Sequence, residues 1–291
     1  MALREERHLR RDELVLGTGD KTTHIDLYDI DDALSTVIFY HGNITFAAFY
    51  HNFLEELASR GHRVLAPDRA GMGRSSGKRG SFTVEDLWNQ ANGTMDLIAD
   101  RYEPPYLVIG HSVGGTLAFE HFLSDPRLKA CVAGNIRHPS SEAKGIRDRI
   151  ELALFKLSAR LTPWVQVDTL GVVESEMEGM SEPDRICMRR VMAEDGSEHR
   201  TKEFTMGSLA AYVNFRAQED HGRIDRPLLL LIGDLDSEQE LWMAREAAAE
   251  IEGPVTLEIV PGAGHFLLET DYERSAEIVD EWLHTEGVVE G

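Results

Sequence analysis

The sequence predicts an α/β protein built on a mostly parallel central sheet, with helices on both faces and a helical insertion. Strand-like runs alternate with amphipathic segments to about residue 135, and the alternation resumes from about residue 219. Residues 227–233 form a continuous apolar run, which is typical of a strand buried on both faces. Residues 137–218 interrupt the alternation with helical spacing, so we expect a core domain of residues 1–136 and 219–291 around this insertion.

The first elements can be placed from local signals. Two or three early strands are expected, and the last of them is the β-rich run at residues 35–40. The next helix should extend from about Thr45 to Gly61, because glycine commonly ends a helix. A second helix should begin after Thr83, which has the capping-box spacing to Asp86.

A glycine-rich block at residues 64–75 lies between these two helices. We interpret it as a shaped crossover loop, in which Gly71 and Gly73 permit unusual dihedral angles and Asp68 binds backbone N–H groups. The alternative is an anion site built from the arginines and glycines of the block. The loop is the interpretation that we favour.

Residues 106–115 join a short apolar run to a G-x-S-x-G pentapeptide and then to an amphipathic segment. This spacing is typical of a nucleophile elbow, a strained strand-to-helix turn in which Gly110 and Gly114 leave room for Ser112 to project. The turn leaves the N–H of Val113 at a helix N-terminus, where the partial positive charge favours a developing oxyanion. We therefore predict Ser112 as a nucleophile and Val113 as an oxyanion donor.

A nucleophilic serine needs a histidine base and an orienting carboxylate, which should follow later strands. The continuous apolar run ends in Asp234 and Asp236, and either can lie on the loop at the carboxyl edge of the sheet. A strand at 255–260 leads to His265 on a glycine-rich loop, and a last helix at 271–284 should pack beneath that loop. The chain order of serine, acid and histidine is the one that this architecture uses.

These motifs make the chain similar to the α/β-hydrolase fold superfamily, and within it most similar to monoacylglycerol lipase and lysophospholipase-like serine hydrolases. The resemblance covers roughly residues 35–135 and 205–285 and is weak between them. It implies that Asp236 is the acid, because Asp236 follows the terminal glycine of its strand by three residues. It also implies that Asn43, the residue after a His-Gly pair, donates the second oxyanion N–H.

Two further histidines near these motifs are expected to be structural. His41 should be a buried loop histidine whose ring fixes the turn by hydrogen bonding, because buried polar groups are usually satisfied locally. His111, beside the nucleophile, should be a packing residue and not a second base.

In this fold an insertion forms a cap over the carboxyl edge of the sheet, where ligands bind. Residues 137–218 should form this helical cap. Its apolar side chains would close on an acyl group, and we expect the pocket to include Phe155, Trp164, Met177 and Met180. The alternative is that these four side chains only pack the cap onto the core domain.

The leading hypothesis is a carboxylic ester hydrolase that forms an acyl-enzyme on Ser112 and acts on a small or medium lipophilic ester, monoacylglycerol-like or lysophospholipid-like. His265 would take the serine proton, Asp236 would orient the imidazole, and each oxyanion N–H would stabilise the transition state by about 3–4 kcal/mol. No metal or organic cofactor is expected. The same triad could serve thioester, lactone or carbon–carbon bond hydrolysis or acyl transfer, and a ligand-binding scaffold is the alternative from another class.

Composition limits the partners. The net charge of −21 argues against nucleic acid or an anionic membrane surface as the main partner. Cys131 and Cys187 lack metal-ligand spacing and should be reduced thiols. The charged residues 1–8 lack the apolar core of a signal peptide, and no run is long enough to span a bilayer. We therefore expect a cytoplasmic protein with a small-molecule acyl substrate and no stable membrane insertion, in an oligomeric state that stays open.

Overall fold

Eight strands form one central sheet in the computed structural model, which describes residues 8–135, 146–193, 199–218 and 220–290. Two short strands between the sixth and seventh of these pair separately and antiparallel. The strands in chain order are β1 (Arg10–Thr18), β2 (Lys21–Asp29), β3 (Ser35–Tyr40), β4 (His62–Pro67), β5 (Tyr106–His111), β6 (Leu128–Gly134), β7 (Gln166–Asp168), β8 (Glu203–Thr205), β9 (Leu228–Gly233) and β10 (Val255–Val260).

The order across the central sheet is β1-β2-β4-β3-β5-β6-β9-β10. All pairs from β4 to β10 are parallel, whereas β2 pairs antiparallel with both β1 and β4. Every residue of β3, β5 and β9 is buried, as expected for parallel strands covered on both faces. The carboxyl ends of six parallel strands therefore meet at one edge of the sheet.

Helices cover both faces of the sheet, which confirms the predicted fold class. The helices in chain order are α1 (His51–Ser59), α2 (Val84–Arg101), α3 (Val113–Ser124), α4 (Ile146–Leu161), α5 (Thr169–Glu176), α6 (Glu182–Ala193), α7 (Met206–Asn214), α8 (Leu241–Glu250), α9 (Leu267–Thr270) and α10 (Tyr272–Thr285). None of them, within the described ranges, combines the length and apolar character needed to cross a bilayer.

The helix starts follow from local hydrogen bonds. The capping box of α2 is present, because the Thr83 hydroxyl accepts the N–H of Asp86 at 3.1 Å and the Asp86 carboxylate accepts the N–H of Thr83 at 2.7 Å. The helix predicted from Thr45 is instead a 3-10 turn at Ala47–Tyr50 followed by α1. The turn comes first because an Asp68 carboxylate oxygen accepts the Ala47 N–H at 2.8 Å and fixes its start.

Between β6 and β9 the described residues form α4 to α7 and the β7–β8 pair, with no strand of the central sheet. In this segment α7 packs against α2, and α6 packs against α9. The boundaries predicted at residues 136–137 and 218–219 touch positions outside the described residues. Cys131 and Cys187 are buried and form no disulfide.

Candidate active site

Ser112 lies in a strained turn between β5 and α3. Its backbone has φ 55° and ψ −123°, a conformation that is costly for a residue with a side chain. A side chain at Gly110 would overlap the Gly114 carbonyl, and one at Gly114 would overlap the Tyr40 carbonyl. The two glycines are therefore required because strand and helix backbones approach too closely for any Cβ atom.

His265 and Asp236 form a buried pair beside this turn. Asp236 follows β9 and His265 follows β10, so both lie at the carboxyl edge of the sheet. The His265 Nδ1–H is 3.1 Å and 3.2 Å from the two Asp236 carboxylate oxygens. Asp234 lies elsewhere, because its carboxylate accepts the Gly262 N–H at 2.7 Å. The geometry thus pairs the histidine with Asp236 and not with Asp234.

Asn135 is a residue of this site that the sequence motifs did not indicate. It follows β6 directly, is 2% exposed and has a positive φ of 55°. Its side-chain amide donates to Asp236 Oδ2, while the N–H groups of Glu238 and Gln239 donate to Oδ1 at 2.8 Å each. The signal that could have found Asn135 is its position, a polar residue at the end of the strand between β5 and β9.

The surroundings of the pair set its charge state. Burial alone would lower the pKa of His265, but the hydrogen bond with Asp236 and the charges of Glu238 and Asp184 raise it to about 9. Burial opposes ionisation of Asp236, yet the hydrogen bond and charge of His265 hold the pKa of Asp236 below its ordinary value. The pair therefore favours an imidazolium held against a carboxylate.

His265 Nε2 faces a second carboxylate. Glu238 Oε2 lies 3.4 Å from this nitrogen. Among the described residues no hydrogen bond joins the Ser112 hydroxyl to His265. Such contacts are often long in unliganded enzymes and shorten when substrate binds, so the geometry does not exclude a base role for His265.

Ser112 and His265 share a cavity of about 540 Å³. This volume falls in the range of small-molecule sites. Its apolar lining comes from α3, α5 and α7, through Leu117, Val173 and Tyr212 among others. A smaller cavity of about 90 Å³ adjoins the same serine and histidine and is lined by Asn43.

The four side chains predicted for the acyl pocket are not among the described residues that line these cavities. Trp164 is 68% exposed, and Met180 is 7% exposed within the hydrophobic core. Met177 packs against that core, and Phe155 is half-buried on α4. Helical spacing identifies side chains on one face of a helix, but the facing partner depends on how the helix is docked. From the predicted insertion, the residues that line the larger cavity are instead Val173, Glu176, Tyr212 and Val213, and the acyl pocket itself stays a prediction.

Of the predicted oxyanion donors, Val113 lines the larger cavity and Asn43 the smaller one, and Ser112 lines both. Val113 is the first residue of α3, so its N–H has no acceptor one turn earlier in the helix. The loop of Asn43 is fixed by Arg69, which is fully buried and donates to the carbonyls of His41 and Gly42. Arg69 is thereby committed to protein carbonyls, which supports the crossover loop over the anion site.

The contacts of His41 within the same loop explain its structural role. Its Nδ1–H donates to the Gly42 carbonyl at 2.9 Å, and its Nε2 accepts the Arg69 N–H at 3.2 Å. Burial and the Arg69 charge lower the pKa of His41 to about 3, so the ring is neutral. Asp68 accepts the backbone N–H groups of Ala47 and Arg74 at 2.8 Å each. The predicted structural roles of His41 and Asp68 are confirmed.

His111 does more than the packing that the sequence suggested. Its Nε2–H donates to the His265 carbonyl at 2.6 Å, and its Nδ1 accepts from the Tyr50 hydroxyl at 2.8 Å. The Tyr50 oxygen in turn accepts the Gly42 N–H at 3.2 Å. Burial and the charge of His265 lower the pKa of His111 to about 3. A neutral His111 therefore ties the histidine loop to the loop of Asn43.

One group of described side chains has the composition of a metal site. Ligand atoms of Glu13, His24 and Asp26 lie within 4.8 Å of one another. The Arg74 guanidinium pairs with Glu13 and lies 3.7 Å from Asp26, so a cation already neutralises the carboxylates. None of these residues lines the cavities at Ser112.

The comparisons with known proteins agree with this architecture. The family model Hydrolase_4, described as serine aminopeptidase, S33, matches residues 31–272. A monoacylglycerol lipase of Mycolicibacterium smegmatis is 27% identical over 286 residues, which cover 94% of this chain and 97% of the relative.

Two solved structures share the fold at low sequence identity. A soluble variant of monoglyceride lipase from Saccharomyces cerevisiae, in complex with a substrate analog, has a TM-score of 0.76 at 13% identity, covering 100% of this chain and 99% of that one. The monoacylglycerol lipase of Paleococcus ferrophilus has a TM-score of 0.68 at 22% identity, covering 96% and 99%.

Proposed function

Because the chain belongs to the serine aminopeptidase S33 family of α/β hydrolases, we propose that it cleaves a carboxylic ester of a small or medium lipophilic substrate through an acyl-enzyme on Ser112. The observation that carries the proposal is the shared cavity of Ser112 and the His265–Asp236 pair. The full-length similarity to a monoacylglycerol lipase supports an ester over other bonds.

In the proposed mechanism, His265 Nε2 removes the Ser112 proton as the serine oxygen attacks the acyl carbonyl. Asp236 holds the ring through Nδ1–H and stabilises the imidazolium that forms. The N–H groups of Asn43 and Val113 bind the tetrahedral oxyanion, and each is worth about 3–4 kcal/mol in systems of this type. Collapse of the intermediate expels the alcohol, which takes the proton from His265.

Deacylation repeats these roles with water as the nucleophile. His265 removes a proton from water as the water oxygen attacks the acyl carbonyl, and the second tetrahedral intermediate releases the acid while Ser112 regains a proton from His265. Pre-positioned groups of the protein carry each proton, so the chain's own residues complete the cycle.

We also propose that residues 137–218 act as a cap over this cavity. Val173, Tyr212 and Val213 of this segment supply apolar lining opposite Leu117 of the core domain. An acyl chain would lie between these two walls, where apolar surface is removed from water on both sides.

Hydrolysis of 4-nitrophenyl esters from acetate to palmitate tests the proposal. We expect an optimum at short to medium chains, because about 540 Å³ limits the acyl length. Ser112→Ala should abolish turnover and labelling by a fluorophosphonate, whereas Ser124→Ala on the same helix should retain both. Full turnover by Ser112→Ala would overturn the assignment of Ser112 as the nucleophile. Amide substrates cleaved in preference to every ester would overturn the ester assignment.

A further inference from the structure

Glu238 occupies a position next to the reacting groups that the proposed mechanism does not use. Its carboxylate lies 3.4 Å from His265 Nε2, the nitrogen left free because Nδ1 is bound to Asp236. Glu238 also lines both the larger and the smaller cavity, and its side chain is 39% exposed. Substrate bound at Ser112 therefore lies beside this carboxylate.

The backbone of Glu238 is anchored beside His265. The backbone N–H of Glu238 donates to Asp236 Oδ1 at 2.8 Å, and the N–H of the next residue does the same. The backbone of Glu238 is thus fixed by the carboxylate that also binds His265 Nδ1. The side chain of Glu238 projects from this anchored position and approaches His265 Nε2 at 3.4 Å.

The rest of the cavity lining has the same electrostatic character. Glu176, at the end of α5, adds a second carboxylate to the larger cavity. Lysine and arginine are missing from the described residues that line either cavity. A negative group on a substrate would therefore meet two carboxylates, while the cationic side chain of the lining, His265, is already paired with Asp236.

Two side-chain amide oxygens in the cavity linings are hydrogen-bond acceptors that no described donor satisfies. Asn135 is 2% exposed and lines the larger cavity, and its Oδ1 has no hydrogen-bond partner in the described part of the chain, while its amide nitrogen is bound to Asp236. The buried Oδ1 of Asn43, in the smaller cavity, is likewise without a partner among the described residues. Buried acceptors without donors are costly, so both favour a ligand that brings hydrogen-bond donors.

We propose that Glu238, assisted by Glu176, restricts this site to esters whose groups near the scissile bond are hydrogen-bond donors or cations, and that it rejects esters carrying a phosphate or carboxylate there. The proposal rests on the ester hydrolase function and names its substrate class. Neutral hydroxyl-bearing esters fit, whereas phosphorylated glycerol esters do not. A negative charge within a few ångströms of Glu238 is opposed by Coulomb repulsion in a partly dry cavity.

Three butyryl esters that differ in the alcohol part test the proposal at constant acyl length: monobutyrin, butyrylcholine and 1-butyrylglycerol 3-phosphate. We expect kcat/KM of the wild-type protein to be at least about tenfold higher for monobutyrin than for the phosphate ester. Higher kcat/KM for butyrylcholine than for monobutyrin would identify charge as the recognised feature, and the reverse order would identify the hydroxyl donors.

The variants Glu238→Gln and Glu176→Gln should each narrow the gap between monobutyrin and the phosphate ester, with the larger effect at Glu238. Glu174→Gln is the matched control, because it removes the same charge from an exposed position of α5 that does not line the cavity. It should leave the ratio unchanged. Raising the salt to 0.5 M should also narrow the gap in the wild-type protein, a measurement that needs no variant.

Equal kcat/KM for monobutyrin and the phosphate ester in the wild-type protein would overturn the proposal, as would a ratio that Glu238→Gln leaves unchanged. 4-Nitrophenyl butyrate separates this failure from a failure of the proposed function. Serine-dependent hydrolysis of 4-nitrophenyl butyrate without discrimination among the three esters would contradict the proposed selectivity alone. A protein that hydrolyses none of the four esters would contradict both the selectivity and the proposed ester hydrolase function.

Discussion

At the scale of single residues, this protein contains a second arrangement of serine, histidine and aspartate. The Ser35 hydroxyl donates to His62 Nδ1 at 2.8 Å, and His62 Nε2–H donates to Asp280 at 3.1 Å. Ser35 and His62 begin β3 and β4, at the opposite edge of the sheet from Ser112, and His62 is fully buried. No substrate can reach this second set. Its hydrogen bonds instead tie the starts of β3 and β4 to α10. Access and backbone geometry, and not residue types, distinguish the site at Ser112.

The acid of the candidate site can be tested with a matched pair of variants. We expect Asp236→Asn to lower kcat by about 10³–10⁴-fold, because the amide no longer favours the tautomer with Nδ1–H. Asp234→Asn should have little effect, since the Asp234 carboxylate accepts the Gly262 N–H and, among the described residues, makes no hydrogen bond to His265. Circular dichroism checks that both variants are folded. Greater damage from Asp234→Asn than from Asp236→Asn would show that the acid is misassigned.

The charge state of His265 leads to a second prediction at the scale of single residues, the pH dependence of kcat/KM. The base must be neutral to accept the serine proton, and a pKa of about 9 leaves it protonated at neutral pH in the free protein. We therefore expect kcat/KM to rise with pH and to level off above about 9. Initial rates with a neutral ester from pH 6 to 10 measure this profile. A plateau already reached at pH 7 would contradict it.

At the scale of elements, α6 reaches the histidine loop. Asp184 of α6 is 1% exposed, accepts the Phe266 N–H at 3.0 Å and accepts from the Ser181 hydroxyl at 2.7 Å. A side chain at Gly264 would overlap the Asp184 carboxylate, which explains the glycine before His265. Helix α6 thus holds the backbone on the C-terminal side of His265, while His111 holds its carbonyl.

The role of Asp184 can be separated into geometry and charge. Asp184→Ala should lower kcat by roughly tenfold or more with a smaller change in KM, because the Phe266 N–H loses its acceptor and the loop shifts. Asp184→Asn keeps an acceptor and should restore much of kcat. It should also move the pH profile to lower pH, since the Asp184 charge contributes to the raised pKa of His265. An unchanged kcat and profile in both variants would show that α6 does not position His265.

The exposed face of α4 shows what element-level patterns leave open. Ile150, Leu154, Leu157 and Leu161 recur at helical spacing, and all four are more than half exposed. Periodicity correctly places them on one face of a helix. It contains no information on what that face contacts, because docking depends on residues distant in the chain.

At the scale of the whole molecule, the sheet order brings the site together. β5 lies between β3 and β6, and β6 lies beside β9, so the residues after these strands converge on Ser112. A chain of hydrogen bonds then joins two loops and the end of β5, from the Gly42 N–H through Tyr50 and His111 to the His265 carbonyl. The loop of Asn43, the end of β5 and the loop of His265 therefore form one connected unit.

Removal of the Tyr50 hydroxyl tests this unit. Tyr50→Phe leaves His111 Nδ1 and the Gly42 N–H without buried partners, which typically costs about 1–3 kcal/mol of stability. We expect a lower midpoint in urea unfolding together with a lower kcat. Tyr272→Phe is the control, because its hydroxyl donates to the neighbouring Glu273 carboxylate in an exposed hydrogen bond and takes no part in this network. Loss of stability without any loss of kcat would show that the network supports the fold but does not position the site.

The sequence by itself determined the elements and the residue types of the site. Continuous apolar runs specify strands buried on both faces, the Thr83 capping box specifies the start of α2, and the glycines around Ser112 specify the elbow, because each is a local steric or hydrogen-bond requirement. Only the tertiary structure decided which residues between β6 and β9 line the cavity, that His111 and Asn135 support the pair, and that Glu238 faces His265. These contacts join residues up to 154 positions apart. Local patterns cannot encode them, since their distances depend on strand order and on how the helices between β6 and β9 are docked.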